Sequence, residues 1–193
     1  MAGKQAKVLS TREITQMLTH IKGTRYPQRN KVMLLLSVKA GLRAKEISNL
    51  TWAMLTDASG QVSDTLHLPD NSSKGKSGRI IPLNAQLKEA LINLQQMVSR
   101  TPEHYVIKSE RGVKMLPGAI AVWFGDVFKA LRLDGCSSHS GRRTFVTNAA
   151  KKIIEAGGSL RDVQQLAGHA SLQMTQSYIE GDCEAKRKVV DMI

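Results

Sequence analysis

The spacing of apolar residues changes twice along this chain, and these changes limit the folds open to it. Over the first quarter of the sequence, apolar residues recur at helical spacing. Residues 65–68 then alternate, and residues 79–83 are rich in β-branched side chains, on either side of the turn-forming segment PDNSSKGKSG. Helical spacing returns after the second of these segments. We therefore expect an α+β fold that is mainly α-helical and carries one small antiparallel β-hairpin.

The predicted helices begin and end at residues with known capping roles. Gly23 and Pro27 end the first helix, and Gly41 ends the second. Ser159 begins a later helix with Asp162 as its capping-box partner. The first helix is expected from Ser10 to Gly23 and the second over residues 30–40. Others are expected over residues 44–50, 87–98, 117–131 and 145–154, from residue 160 to Gly168, and from residue 171 to just before residue 178.

The charge of the chain points to a polyanionic partner. Its 193 residues include 28 Lys and Arg against 16 Asp and Glu, which gives a formal net charge of +12. Only 4% of the residues are aromatic, which disfavours a stacking platform for single strands, whereas contacts to duplex phosphates need only basic side chains and backbone donors. Composition therefore favours duplex DNA as the partner.

Length and cysteine content predict one domain in a reducing compartment. We expect a flexible basic arm over residues 1–8 and one domain over residues 9–193, with a C-terminal tail over about 180–193. Cys136 and Cys183 are too few for a disulfide framework and lack a zinc-site spacing, so both are expected to be free thiols. No apolar run approaches the roughly 20 residues of a membrane span, and we expect a soluble protein without membrane association.

The segment GLRAKEISNL is the first of three segments with candidate functional residues. Arg43 follows a helix stop and precedes a helix start, where a guanidinium and free backbone N–H groups can bind a phosphate. For this segment alone, a surface ion pair between Arg43 and Glu46 is the better explanation.

The second segment, SSKGKSGR, is the expected hairpin loop. It holds Lys74, Lys76 and Arg79, and no acidic residue lies between positions 71 and 80. Glycines beside the lysines allow the tip to approach a nucleic-acid backbone closely. A solvated basic turn accounts for the same pattern, and the spacing is not that of a nucleotide-binding P-loop.

The third segment runs from SSHSGRRTF to LAGHASLQMTQSYIE. His139 and Arg142 are three residues apart, so on a helix they would face the same way, and His169 and Tyr178 follow. A buried histidine and a packing tyrosine are the ordinary alternatives. Taken together, however, the three segments supply a nucleophile and several cations without a carboxylate cluster for a metal ion. This set favours tyrosine-mediated, metal-independent attack on a phosphodiester.

In order and spacing, GLRAKEISNL, the basic hairpin tip before IIPL, HSGRRTF and LAGHASLQMTQSY resemble the tyrosine recombinase, or phage integrase, family. The resemblance covers the family's catalytic domain, from about residue 9 to the end of the chain. It implies a site-specific DNA recombinase that integrates, excises or inverts a segment through a 3′-phosphotyrosine intermediate. It also implies that no metal, ATP or other cofactor is needed.

The resemblance assigns a role to each matched residue. Arg43 and Arg142 would clamp the scissile phosphate, Tyr178 would attack it, and Lys74 would protonate the leaving 5′-oxygen. His139 would assist proton transfer from the tyrosine, and His169 would donate to a non-bridging oxygen. Glu46 would hold the residues that contact the phosphate without contacting it itself. Three further basic residues are expected to bind DNA: Lys76, Arg79 and Arg143.

The chain also departs from the usual family pattern. We expect no N-terminal core-binding domain in this sequence, which is either a catalytic fragment or similar to the short fimbrial phase-variation recombinases. We also expect a homo-oligomer that is a tetramer when two DNA sites are paired, with a monomer as the alternative for the free protein. Gly141 stands where the family often has leucine and is expected to loosen the start of its helix. A type IB topoisomerase-like activity and a catalytically idle DNA-binding regulator remain alternatives. A bacterial or phage-encoded cytoplasmic protein is the expected setting.

Overall fold

The computed structural model describes residues 5–70, 78–98, 101–112 and 114–178, and Cys183 and the expected C-terminal tail lie outside these ranges. Within them the fold is the expected mainly helical α+β architecture. The elements in chain order are α1 (Thr11–Lys22), α2 (Pro27–Ala40), α3 (Ala44–Asn49), a 3₁₀ turn (Trp52–Met54), β1 (Thr65–Leu68), β2 (Arg79–Pro82), α4 (Ala85–Gln96), α5 (Pro117–Ala130), α6 (Ser140–Lys152), α7 (Leu160–Ala167) and α8 (Leu172–Gln176).

Helix α2 forms the centre of the core. It packs against α1, α4 and α6, and its residues from Val32 to Val38 are all buried. The helix begins at Pro27 and not at Asn30, because a proline at the first helical position gives up only an N–H that has no partner there. Our prediction that Pro27 only ends α1 was therefore wrong. Gly41 ends α2 as predicted, in the left-handed conformation with φ of 66°.

The two strands form the expected antiparallel hairpin, with Thr65 paired to Pro82 and Leu68 paired to Arg79. Along β2, side chains alternate between the two faces. Arg79 and Ile81 are buried, whereas Ile80 is 57% exposed. Of the loop that joins the strands, residues 71–77 lie outside the described residues.

Helix α6 lies very close to α2 at Gly141. A side-chain carbon at this position would overlap the Oγ of Ser37 and lie 3.2 Å from Val38. The glycine is thus needed for helix packing, a role that we did not predict for it. The helix also starts earlier than predicted, at Ser140, and ends before Ile154, which is 68% exposed.

The N-terminal segment is attached to the body of the protein over its described part. The backbone N–H of Lys7 donates to the carbonyl of Gly135, at 3.1 Å, and the Lys7 ammonium pairs with Glu13, at 2.9 Å. Leu9 is buried, and its N–H donates to the Thr144 hydroxyl. Residues 5–8 therefore differ from the flexible arm that we expected.

In the parts of the chain that the structure describes, no helix combines the length and the apolar character required to cross a bilayer. Cys136 is a partly buried free thiol, and burial is the main cause that raises its pKa.

Candidate active site

A cleft of about 420 Å³ opens where the beginnings of α3 and α6 meet the segment from α7 to the residues after α8. Five of the six predicted catalytic residues line it: Arg43, His139, Arg142, His169 and Tyr178. The sixth, Lys74, lies outside the described residues. The remaining lining residues are Gln5, Ala6, Ser137, Arg143, Met174 and Ser177.

Arg43 is held at the N-terminus of α3 by the carboxylate of Glu46. Its backbone N–H donates to Oε2 of Glu46 at 2.8 Å, and its Nη1 donates to Oε1 at 3.1 Å. The Arg43 side chain is 32% exposed, whereas that of Glu46 is 1% exposed. The pair is therefore more than a surface ion pair, because one partner is buried and the other reaches the cleft.

Arg142 joins the ends of two helices below the cleft. Its Nη1 donates to the carbonyl of Gly41 and its Nη2 to the carbonyl of Ala167, each at 2.7 Å. The residue is only 4% exposed. Burial, followed by the nearby charge of Arg43, lowers its pKa to about 10, so the guanidinium stays charged near neutral pH.

His169 is a buried, neutral imidazole near pH 7. Burial is the main cause that lowers its pKa to about 4, and the charges of three arginines, of which Arg142 is the strongest, act in the same direction. Its Nδ1 lies 2.9 Å from the hydroxyl of Thr175. A neutral imidazole whose Nδ1 accepts this hydrogen bond carries its proton on Nε2 and can donate it to an anion.

The ring of Tyr178 contacts both a histidine and an arginine. It stacks on His169, with ring centroids 5.4 Å apart and planes inclined by 19°. The guanidinium carbon of Arg143 is 5.6 Å from the centre of the Tyr178 ring. Tyr178 also packs on the small apolar cluster of α6 and α7. These contacts hold the phenol at the edge of a strongly cationic cleft.

His139 is exposed and lies immediately before α6, where its N–H donates to Ser137 Oγ at 3.3 Å. Our expectation that His139 and Arg142 share a helix face was therefore inaccurate, because His139 precedes the helix. Both residues nevertheless line the same cleft.

Comparison with known proteins settles the family. The sequence profile of the phage integrase family matches residues 7–184. The chain belongs to this family. It is 33% identical over 166 residues to tyrosine recombinase XerC of Rhizobium meliloti, covering 84% of this chain and 49% of that protein. It is 32% identical to a tyrosine recombinase of Pseudothermotoga lettingae, over 79% of this chain and 49% of the relative.

Solved structures of the family share the fold. The XerA recombinase matches over 96% of this chain and 64% of its own, with 25% identity and a TM-score of 0.70. The match to the Tn1549 transposon integrase, solved in complex with a circular intermediate DNA, covers 100% of this chain and 67% of the integrase chain, with 19% identity and a TM-score of 0.74. The chain spans about half the length of the tyrosine recombinases of Rhizobium meliloti and Pseudothermotoga lettingae.

The three residues expected to bind DNA in this family member are placed very differently. Arg143 is partly buried and lines the cleft. Lys76 lies outside the described residues. The Arg79 side chain is 4% exposed and is bound to Glu46, so its guanidinium points into the protein instead of towards a duplex. We therefore revise its expected role below.

Sequence reasoning missed Thr175 and Gln5. Thr175 is completely buried and is the hydrogen-bond partner of His169. A threonine six residues after the histidine, just before an exposed stretch of polar residues, gives no clear signal in one sequence. Gln5 lines the cleft because the N-terminal segment folds back towards α6, and no local pattern predicts such a long-range contact.

Across residues 5–70, 78–98, 101–112 and 114–178, no group of three or more His, Cys, Asp and Glu side chains is arranged to hold a metal ion. The cations of the cleft, in contrast, are suited to an anionic substrate.

Proposed function

We propose that this chain is the catalytic domain of a site-specific DNA recombinase that cleaves and rejoins duplex DNA through a 3′-phosphotyrosine. The observation that carries the proposal is the single cleft that brings Tyr178 together with Arg43 and Arg142. Family membership supports the same reaction, as do relatives whose names describe tyrosine recombinases.

The proposed cleavage step is a transesterification. The phenolic oxygen of Tyr178 attacks the scissile phosphorus, its proton passes to His139, and the bond from phosphorus to the 5′-oxygen breaks. Lys74 gives a proton to that leaving oxygen, which departs as a 5′-hydroxyl. The covalent link conserves the energy of the phosphodiester, so the reverse attack by a 5′-hydroxyl rejoins DNA without ATP.

Developing negative charge on the non-bridging oxygens needs donors that are already in place. Arg43 and Arg142 are fixed by hydrogen bonds to the protein while their charges face a common cleft. His169 adds one neutral donor, because its lowered pKa keeps it unprotonated near pH 7 and its Thr175 contact leaves Nε2 available. We propose that these three side chains bind the phosphate in the transition state.

The formal charge of +12 supports a duplex as the partner, with Arg143 and Lys76 as contacts to the DNA backbone. Recombination joins four strands from two duplexes, and we propose that four copies of the protein assemble on a paired site. A bacterial or phage-encoded protein that acts in the cytoplasm is the setting consistent with the relatives.

A covalent-trapping experiment tests the proposal. A duplex is first selected from a random-sequence pool by its binding to the protein and is then nicked next to each candidate scissile phosphate, so that the short leaving strand diffuses away. We expect a covalent adduct with the wild-type protein and none with Tyr178→Phe. Specific binding without any adduct would indicate a DNA-binding regulator instead. Supercoil relaxation without exchange between two sites would indicate the topoisomerase alternative.

A further inference from the structure

Arg79 faces the protein interior from the start of β2. Its Nη1 and Nη2 donate to the two carboxylate oxygens of Glu46, at 3.0 and 3.1 Å. Its Nε donates to the carbonyl of Leu166 in α7, at 3.0 Å. The backbone of Gly168 lies directly beside the guanidinium, since a side-chain carbon at position 168 would be only 2.8 Å from Arg79 Nη1. This arginine therefore connects β2, α3 and α7 behind the cleft.

Glu46 receives donors from two arginines at once. Arg79 forms two hydrogen bonds to the carboxylate, and Arg43 forms two more through its backbone and its side chain. Burial alone would raise the pKa of Glu46, but the hydrogen bonds and charge of Arg79, followed by those of Arg43, outweigh it and hold the pKa below its usual range. The carboxylate is therefore ionised near neutral pH.

The charges of Glu46, Arg79 and Arg43 together determine how much positive charge is available to a ligand. One carboxylate faces two guanidinium groups, so the set carries one net positive charge. Arg79 is buried with 4% of its side chain exposed, whereas Arg43 is 32% exposed and lines the cleft. Without Arg79, the charge of the buried Glu46 carboxylate would be balanced by Arg43 instead, and the charges of this pair would cancel. A neutral pair attracts a phosphate much more weakly than a free guanidinium.

We propose that Arg79 is the counter-ion of Glu46 that leaves the charge of Arg43 available to the scissile phosphate. Arg79 is thus a positioning residue and does not contact DNA. The inference rests on the proposed function, because it takes the ligand of Arg43 to be the DNA phosphate that is cleaved.

The decisive test combines Arg79→Met with Glu46→Gln. We expect Arg79→Met to lower the single-turnover rate of covalent adduct formation at saturating DNA by about 10- to 100-fold, while duplex affinity falls by no more than the loss of one phosphate contact. Adding Glu46→Gln to Arg79→Met should recover part of the lost rate, because the carboxylate that cancels the charge of Arg43 is then gone. A double variant no faster than Arg79→Met would overturn the inference, since a purely architectural role gives no such rescue.

Two further variants separate this role from folding and from DNA contact. Arg79→Lys keeps a positive charge next to Glu46 and should cleave faster than Arg79→Met. Since Arg79→Met neutralises Arg43 through Glu46, the slope of log affinity against log salt should fall by at most about 0.9, the contribution of one phosphate, and adding Glu46→Gln should restore it. A lowered slope that Glu46→Gln does not restore would return Arg79 to the DNA-binding surface. Arg25→Met, with and without Glu110→Gln, is the matched control, because it alters an exposed ion pair away from the cleft.

A measurement without DNA distinguishes failure of this inference from failure of the proposed function. If the wild-type protein forms no adduct, the proposed function fails, but the Glu46 carboxyl can still be followed by NMR as pH is lowered. We expect Arg79→Met to raise the pKa of Glu46 above its wild-type value. An unchanged Glu46 titration would show that Arg79 is not its counter-ion.

Discussion

The imidazole of His169 stacks on the phenol of Tyr178, with 5.4 Å between the ring centroids and 19° between the planes. A protonated imidazole would add positive charge to a cleft that already holds Arg43 and Arg142, and burial also opposes it. His169 thus lies flat against the tyrosine as a neutral ring, in the same cleft as the two arginines.

The lowered pKa of His169 should appear in the pH dependence of stability. Its pKa is about 4 in the folded protein against 6.5 for an ordinary histidine, so the unfolded chain takes up a proton first as pH falls. The free energy of unfolding should thus fall from about pH 6.5 towards pH 4. We expect wild type to lose about 1–2 kcal/mol more than His169→Gln between about pH 7 and pH 5. Urea unfolding at the two pH values measures this, and equal losses would contradict it.

Thr175 should control which nitrogen of His169 carries the proton. Thr175→Val keeps the shape of the side chain but removes the hydroxyl that lies 2.9 Å from Nδ1. We expect adduct formation to slow by about tenfold or more, with little change in DNA affinity, and ¹⁵N NMR of the imidazole should show a mixture of tautomers. Thr175→Ser keeps the hydroxyl and is the control. A Thr175→Val protein with wild-type rate and a single tautomer would show that the contact is not needed.

Sequence patterns predicted the elements well, because apolar spacing and caps act locally. The hairpin and the Gly41 helix end are both found. We predicted that Arg79 binds DNA because it lies in a basic segment, and we gave less weight to the alternation of side chains along β2. Since β2 alternates, Arg79 shares a face with Ile81, and that register indicates burial. The role of Gly141 was out of reach, because it depends on how closely α6 approaches α2, which no local pattern encodes.

The contact between Gly141 and Ser37 gives a stability prediction. Gly141→Ala places a methyl group against the Ser37 side chain in a closely packed interface. We expect the free energy of unfolding to fall by about 1–3 kcal/mol, measured by urea unfolding. Gly141→Ala combined with Ser37→Gly removes the overlapping atoms and should recover part of this loss beyond additivity. Gly118→Ala, at an open helical position, is the control, and an equal loss in both alanine variants would contradict the packing argument.

Arg143 should contribute to DNA affinity without reading sequence. It is partly buried at the cleft, and its guanidinium lies over the Tyr178 ring. If it contacts one phosphate, Arg143→Met should lower the slope of log affinity against log salt by about 0.9, and affinity should fall about equally for different duplex sequences. Fluorescence anisotropy across a salt series measures both. An unchanged slope would show that Arg143 serves only to hold the tyrosine.

Lys74 and Lys76 form a matched pair for the general-acid prediction, since they are two residues apart in the same basic segment. Lys74→Ala should abolish detectable cleavage of ordinary DNA, because the 5′-oxygen then leaves without a proton. Lys76→Ala should mainly weaken DNA binding. Replacing the leaving oxygen with sulfur removes the need for protonation, so this substrate should restore adduct formation by Lys74→Ala but not by Tyr178→Phe. Equal effects of the two lysine variants, or no rescue by sulfur, would remove Lys74 from the acid role.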